Sequence, residues 1–161
     1  MPDPGPAAAE RTVGRLLYVI TSLDYGGAEA LVVELAARFA ERGWKVGVVS
    51  MVTPRAYEAQ LEAANVELFS LDMRPGLPDP RAIPHLARIY RQFQPDVVHA
   101  HMVHANLLAR VARLAGPLTC LVCTAHNINE GGALRYLGYR MTDGLSEVTT
   151  NVSRSAVDRY V

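Results

Sequence analysis

Residues 15–29, RLLYVITSLDYGGAE, decide the fold of this chain. An apolar run from Leu16 to Ile20 is followed by a short loop and then by a helical pattern that begins at Ala28. A short apolar run that is bounded by turn residues and followed by helical periodicity predicts a buried parallel strand leading into a helix.

Two glycines, Gly26 and Gly27, lie where that helix begins. Backbone N–H groups point outward at a helix N-terminus, and the helix dipole favours anions there. Ligands of open α/β sheets also gather at the carboxyl ends of the strands. The pair therefore indicates a turn that binds phosphate or sugar, or only a tight strand-to-helix turn, and both interpretations stay open.

The same alternation of strand and helix continues along the chain. Strands are predicted at 15–20, 45–51, 66–71, 97–100, 118–125 and 147–152. Helices are predicted at 27–42, 57–64, 83–93, 103–114 and 133–141, and another begins at Ser153. This pattern predicts an α/β fold, a Rossmann-like doubly wound parallel sheet over residues 15–161. Residues 1–14 are rich in Pro, Gly and Ala, and we expect them to form a disordered leader.

The first helix is predicted to bury one apolar face and to end at Gly43, which can serve as a C-terminal cap. The apolar residues assigned to that face are Leu31, Val32, Leu35, Ala36 and Phe39.

Composition excludes several classes of protein. The 161 residues carry 16 basic and 16 acidic side chains, so bulk charge does not indicate nucleic-acid binding. The two cysteines make no disulfide framework, which fits a reducing compartment. Cys120 and Cys123 have C-x-x-C spacing but lie in an apolar strand, where they are expected to be buried small hydrophobes facing opposite sides. No apolar run approaches membrane-spanning length, and the N-terminus has no signal-peptide pattern.

A nicotinamide or flavin cofactor is not expected. The fingerprint G-x-G-x-x-G is absent, and the second strand ends in Ser50-Met51 where an acidic residue would hold the ribose.

Three histidines, His99, His101 and His104, cluster where the fourth strand ends. His99 and His101 share one face of the strand, since side chains alternate along it. No carboxylate or cysteine lies at a suitable spacing for a metal site, so no metal is predicted. His101, together with His104 and Asn106 in the first turn of the next helix, can face the cleft. Alternatively, these residues only cap the helix and form the loop.

A second polar group follows the fifth strand. His126 lies just past the end of that strand and is followed by Asn127, Asn129 and Glu130, and then by two glycines. This loop is a candidate site, and a solvated loop with a capping Asn is the alternative. Glu29 lies in the first turn of the first helix, where we expect its carboxylate to offset the helix dipole.

Four segments together indicate a family. They are YVITSLDYGGAE, PDVVHAHMVHANLLAR, TAHN and NVSRSAVDRYV, and in this order they resemble the N-terminal half of retaining glycosyltransferases of the GT-B fold, the large family four. The resemblance implies two Rossmann-like domains that face a cleft. The N-terminal domain mainly binds the acceptor, and the C-terminal domain holds the nucleotide sugar with a basic pair and an E-x7-E motif. This sequence has no such motif, so we expect an acceptor-side domain without its donor domain, inactive alone.

The resemblance also implies roles for individual residues. Gly26 and Gly27 would approach the donor diphosphate and the transferred sugar, and His126 would reach that sugar near the reacting centre. His101, His104 and Asn106 would shape the acceptor side, and we expect Asn127 and Glu130 of the following loop to contribute there. Retaining members use front-face attack assisted by the leaving phosphate, without a required metal. No cofactor is implied, because the nucleotide-diphosphate sugar is a substrate.

The function expected on this basis is transfer of a hexosyl group from a nucleotide sugar to a glycan or a lipid-linked acceptor. Two alternatives stay open: half of a GT-B sugar-nucleotide epimerase, or a non-catalytic module that binds a sugar or a protein partner.

The expected location is the cytoplasm, with peripheral contact at the inner membrane face as an open alternative. That contact would use the basic amphipathic segment 73–93, and an ordinary solvated helix is the other interpretation. Its basic residues are Arg74, Arg81, Arg88 and Arg91, and its apolar residues are Leu77, Ile83, Leu86 and Ile89.

Overall fold

A computed structural model describes residues 13–77, 79–116, 120–126 and 133–152. The strands in this part of the chain are β1 (Arg15–Ile20), β2 (Lys45–Ser50), β3 (Glu67–Ser70), β4 (Val97–His101), β5 (Leu121–Ala125) and β6 (Val148–Asn151). The helices are α1 (Gly27–Glu41), α2 (Glu58–Ala63), α3 (Ala82–Phe93), α4 (Val103–Ala112) and α5 (Ala133–Thr142). Short 3₁₀ turns follow α4 and α5.

The strands form one parallel sheet in the order β3-β2-β1-β4-β5-β6. The predicted α/β Rossmann-like sheet is therefore confirmed. Successive strands run outward from β1 in one direction and from β4 in the other. The order thus reverses between β1 and β4, and their carboxyl ends flank the position where ligands bind in open sheets.

Helices cover both faces of the sheet, so the core has two layers. Leu17 and Val19 of β1 belong to the layer that includes α3 and α4. Tyr18 and Ile20 of the same strand belong to the layer that includes α1 and α2. This division follows from the period of two along a strand, and it explains why β1 is apolar from Leu16 to Ile20.

The first helix buries a face that is rotated from the predicted one. Val33 is 7% exposed, whereas Leu31 is 42% exposed, so the assignment of Leu31 to the buried face was wrong. The predicted cap is confirmed: Gly43 has φ +82°, and its N–H donates to the carbonyl of Ala40 at 2.9 Å.

Several predictions fall outside the described residues. They are the leader up to residue 12, the start of the fifth strand at 118–119, and the helix that begins at Ser153. The remaining boundaries agree with the predicted ones to within a few residues.

A buried arginine ties α4 to the segments that follow it. Arg110 is fully buried, and its guanidinium donates to Asp143 Oδ1 at 3.1 Å and to Thr149 Oγ1 at 2.7 Å. It also donates to the carbonyl of Tyr139 at 3.2 Å. These bonds fix α4, the helix that follows β4, against α5 and β6.

Two of the four apolar residues assigned to a lipid-facing surface in segment 73–93 lie in the core. Leu86 is fully buried and Ile89 is 3% exposed, because α3 packs this side against the sheet. Leu77 is 61% exposed. Among the described residues, no helix combines the length and the apolar character that a membrane crossing requires.

The two cysteines differ in their surroundings. Cys123 lies fully buried in the core, and burial raises the pKa of its thiol. Cys120 is partly exposed just before β5, so the expectation of burial was right for Cys123 and wrong for Cys120.

We predict that Gly47→Ala destabilises the protein by about 1–3 kcal/mol. A Cβ at this position in β2 would lie 2.8 Å from Leu17 Cδ1 and 3.0 Å from Phe93 Cε2, so the core has no room for it. Urea unfolding measures the change. Gly144→Ala is the matched control, because its Cβ meets no described atom within 4 Å, and we expect a change within about 0.5 kcal/mol. Equal changes for both variants would contradict the packing argument.

Candidate functional site

The candidate site lies at the carboxyl ends of β1, β4 and β5, which are neighbours in the sheet. Ile20 at the end of β1 is in register with His101 at the end of β4. His101 is in turn in register with Thr124, the second-last residue of β5, which places His126 just beyond the same edge. The sheet therefore brings together the glycine turn and the two histidines that the sequence singled out.

The glycine turn is organised around Glu29. This side chain is 8% exposed, and its Oε1 accepts a hydrogen bond of 3.1 Å from the Ser22 hydroxyl. A Cβ on Gly26 would lie only 2.3 Å from Glu29 Oε2. A side chain at position 26 would therefore have to displace the Glu29 carboxylate from its present position.

Gly27 has no such packing reason. A Cβ there would meet no described atom within 4 Å, and its φ is not in the left-handed region. Gly26 is the N-cap of α1, and no described side chain caps it. The N–H groups of the first turn have no partners within the helix, so the backbone at Gly27 is open to an approaching ligand.

The loops after β1 and β2 support one another. The N–H groups of Arg55 and Ala56 both donate to the carbonyl of Leu23, at 2.9 and 3.2 Å. At the rim, the rings of Tyr25 and Tyr57 have centroids 5.9 Å apart, and Tyr25 is 84% exposed. The glycine turn is therefore held at its base and carries an exposed aromatic ring.

The histidines form a row of rings on the α1 side of the sheet. Centroids of His99 and His101 lie 4.1 Å apart, and those of His101 and His126 lie 5.2 Å apart. Nδ1 of His101 lies 2.9 Å from Nε2 of His126, and Nε2 of His99 lies 2.8 Å from the Thr124 hydroxyl. The predicted shared face of His99 and His101 is confirmed, and the row leads from the buried sheet to its carboxyl edge.

Burial keeps the two strand histidines uncharged. Desolvation lowers the pKa of His99 to about 4, with a smaller contribution from His126. It lowers the pKa of His101 to about 2, with smaller contributions from His99 and His126. At neutral pH these rings act through hydrogen bonds and not through positive charge.

The backbone is strained directly after His101. Met102 has φ +74° and ψ +154°, a combination that few residues other than glycine adopt. Its N–H donates to the carbonyl of Thr124 at 3.1 Å, which ties the end of β4 to β5. Strain of this kind persists only where surrounding contacts impose it.

Asn106 does not face the cleft, so that expectation was wrong. It is fully buried, and its Nδ2 donates to the carbonyl of Thr124 at 3.1 Å and to the Tyr139 hydroxyl at 2.8 Å. His101 is 1% exposed and is also closed to direct contact with an acceptor. His104 lies in the first turn of α4, as expected, and its side chain is exposed. Asn127 and Glu130 lie outside the described residues.

Sequence reasoning missed Tyr18 and Thr124. The ring of Tyr18 lies 5.6 Å from that of His99 and 5.8 Å from that of His101, and the Thr124 hydroxyl also contacts the Thr150 hydroxyl at 2.7 Å. Tyr18 interrupts an aliphatic strand, which was a signal that this face carries polar groups. Within the described residues, no three His, Cys, Asp or Glu side chains are grouped so that they could hold a metal ion.

Comparison with known families identifies the chain. The model of Glycosyltransferase Family 4 matches residues 25–160. The chain belongs to glycosyltransferase family 4. This family match confirms the resemblance inferred from the sequence motifs, and it supports glycosyl transfer as the general activity. A search of curated proteins gave no match.

Three solved structures with the same fold as this family 4 domain are informative. HepE of Anabaena, in complex with UDP and glucose, is 18% identical with a TM-score of 0.66, over 91% of this chain and 40% of HepE. A glycosyltransferase from Rickettsia africae is 17% identical with a TM-score of 0.67, over 85% of this chain and 36% of that one. UDP-GlcNAc 2-epimerase from Neisseria meningitidis, bound to UDP-GlcNAc, is 15% identical with a TM-score of 0.58, over 91% of this chain and 42% of that one. At these identities the likeness shows the fold, and the chain spans about two fifths of each structure.

We predict that the free energy of unfolding of this family 4 domain falls as the pH drops from about 7 to 5. The unfolded chain binds protons at its histidines near pH 6.5, whereas folding keeps His99 neutral down to about pH 4. The stabilising free energy from these neutral histidines is therefore fully present above about pH 6.5. It decreases as the pH falls towards the pKa of the folded state, by up to about 1.4 kcal/mol per pH unit for each histidine.

Urea unfolding at several pH values measures this slope. His99→Gln should make the slope shallower, because one of the two buried imidazoles is gone. Parallel curves for the parent and His99→Gln would show that burial of His99 does not set the pH dependence.

Proposed function

We propose that this chain is the acceptor-side domain of a retaining glycosyltransferase. In this proposal the whole enzyme moves a hexosyl group from a nucleotide sugar to a glycan or lipid-linked acceptor. Residues 15–161 supply one wall of the cleft, and a donor domain supplies the other. The proposal goes beyond the family match, which supports glycosyl transfer in general.

One observation carries the proposal: the open backbone of Gly27 lies at the same sheet edge as His126. Gly27 begins a helix, a place where glycine is less stable than alanine, yet no described neighbour requires its small size. A glycine without a packing reason is typical of a position where a ligand approaches the backbone closely. The switch point between β1 and β4 is the position where such a ligand would bind.

The proposed chemistry exchanges one bond at the anomeric carbon. The bond from that carbon to the leaving phosphate oxygen breaks, and a bond to the acceptor hydroxyl oxygen forms on the same face. The acceptor proton goes to the leaving phosphate. The Gly27 backbone would hold the diphosphate or the sugar, and His126 would hydrogen-bond the sugar where charge develops.

Glu29 restricts what the glycine turn can bind. Its buried carboxylate lies against Gly26 and offsets part of the helix dipole. A full phosphate charge is therefore less favoured here than at an uncompensated helix start. We infer that the turn contacts the donor through N–H groups directed at the sugar and one phosphate oxygen, and that exposed His104 contacts the acceptor.

Two other functions fit the same fold. The neighbour from Neisseria meningitidis is a UDP-GlcNAc 2-epimerase, so an epimerase half is one alternative. A non-catalytic module that binds a sugar or a protein partner is the other. Incubating the full-length gene product with UDP-GlcNAc, with and without an acceptor, separates the three functions. A transferase forms its product only with the acceptor, whereas an epimerase forms its product without one. A non-catalytic module forms neither product. We expect transfer, and none from residues 1–161 alone.

We predict that Gly27→Ala separates activity from stability. The new Cβ occupies the proposed approach of the donor, so transfer by the full-length gene product should fall at least tenfold. Stability should stay unchanged or rise by up to about 1 kcal/mol, because alanine favours the helix. Assays with uridine- and guanosine-diphosphate sugars, together with thermal melting, measure both quantities.

Gly26→Ala is the matched control for the neighbouring position. The new Cβ at position 26 would collide with Glu29, so Gly26→Ala should lower the free energy of unfolding. Adding Glu29→Ala should restore part of that loss, because the collision is then removed. Near-parent transfer by Gly27→Ala would contradict a donor contact at this backbone.

We also predict that His126→Ala impairs transfer but not folding. Loss of one hydrogen bond made in the transition state typically lowers the rate by roughly 100- to 1000-fold. Since His126 lies beyond the end of β5 and is not part of the core, the variant should melt within a few degrees of the parent. Near-parent activity, or failure to fold, would make His126 a structural residue.

A further inference from the structure

His101 is a buried imidazole whose two nitrogens have different surroundings. Its Nδ1 lies 2.9 Å from Nε2 of His126. Its Nε2 is buried and finds no hydrogen-bond partner among the described residues. The ring is 1% exposed, so His101 can influence a ligand only through the residue that it contacts.

The two neutral tautomers of His101 differ in what they leave buried. With the proton on Nε2, an N–H group would be buried without an acceptor, which is rare in folded proteins. With the proton on Nδ1, that N–H donates to His126, and only a lone pair on Nε2 stays unpaired. The second tautomer is favoured, because it satisfies the donor. Burial also lowers the pKa of His101, which keeps the ring neutral and so preserves this choice.

The two rings are held in place by the strands that carry them. Met102 N–H and Asn106 Nδ2 both donate to the carbonyl of Thr124, each at 3.1 Å, and so join the end of β4 to the end of β5. Tyr18 and His99 pack their rings beside His101 on the inner side. The position of His101 relative to His126 is therefore set mainly by the paired strands β4 and β5.

We propose that His101 is a positioning residue that donates a hydrogen bond from Nδ1 to Nε2 of His126 and so fixes the orientation and tautomer of that ring. His126 then carries its own proton on Nδ1. Its Nε2 lone pair is engaged by His101, so His126 acts as a hydrogen-bond donor through Nδ1–H and not as a nucleophile through Nε2. A donor is suited to an oxygen that gains negative charge, such as one at the reacting end of the nucleotide sugar. The part of this proposal that concerns sugar transfer rests on the proposed function; the tautomer does not.

Imidazole NMR of the uniformly ¹⁵N-labelled chain tests the tautomer directly. Long-range ¹H–¹⁵N spectra show which nitrogen of each ring carries the proton. We expect His126 to be protonated on Nδ1 in the parent. His101→Asn retains this state, because the asparagine amide nitrogen replaces the Nδ1 donor, whereas His101→Leu shifts His126 towards the Nε2–H form.

His99→Gln is the control for loss of a neighbouring imidazole. Its amide nitrogen can keep the contact to Thr124, and the tautomer of His126 should not change. Protonation of His126 on Nε2 in the parent overturns the proposal. This measurement is made on the parent protein, so it does not depend on any variant being folded. An unchanged tautomer in folded His101→Leu overturns it as well.

Kinetics of the full-length gene product provide the second test of the positioning role. His101→Leu should lower kcat by roughly 10- to 100-fold with little change in KM, a loss like that seen when partners that orient catalytic groups are removed. His101→Asn should recover most of the rate, which a purely structural role would not predict. In a protein that already carries His126→Ala, adding His101→Leu should lower kcat little further, because both residues act through the His126 ring.

The two readings distinguish the proposals. If NMR shows Nδ1–H but no nucleotide sugar is turned over, the proposed function fails and the positioning contact stands. If transfer is found but His101→Leu keeps the parent kcat, the positioning role fails and the proposed function stands.

Discussion

The central strand β1 is the constraint on which the rest of the structure depends. It pairs with β2 on one edge and β4 on the other, and no residue from Leu16 to Ile20 is more than 5% exposed. A strand buried on both faces and paired on both edges can tolerate no polar backbone group without a partner. The chain must therefore leave β1 at the carboxyl edge, beside the end of β4. The glycine turn and His101 lie at the same sheet edge for this reason, independently of the conformational preferences of the loop sequences.

Local patterns were enough to predict the sheet, the helices and most of their bounds. Strand and helix periods are properties of short windows, and the alternation along β4 correctly placed His99 and His101 on one face. Predictions failed where packing decides the outcome. The face that α1 buries includes Val33 and not Leu31, and α4 turns Asn106 inward to Tyr139, a residue of α5 that is 33 positions away. No local pattern records that contact.

The contact between His101 and His126 could be predicted only in part. Both residues were expected at the same sheet edge, yet the 2.9 Å approach of their nitrogens depends on the register of β4 with β5. Two further bonds, from Met102 N–H and Asn106 Nδ2, join α4 and the end of β4 to the carbonyl of Thr124, and Met102 makes its bond from a strained backbone. A methionine gives no sign of such a conformation in the sequence, because the surrounding structure imposes it.

The charges of the described residues at the carboxyl edge of the sheet indicate which part of the proposed reaction this domain can support. Burial keeps His99 and His101 neutral, and Glu29 adds a negative charge at the start of α1. Arg55 lies near the turn, but it is mostly exposed and 4.0 Å from Asp24, so solvent and that carboxylate weaken its field. Groups of this kind orient a sugar through hydrogen bonds and do little to neutralise a leaving diphosphate. If the proposed function holds, the described residues at this edge leave that neutralisation to other groups, and the proposal assigns it to the donor domain.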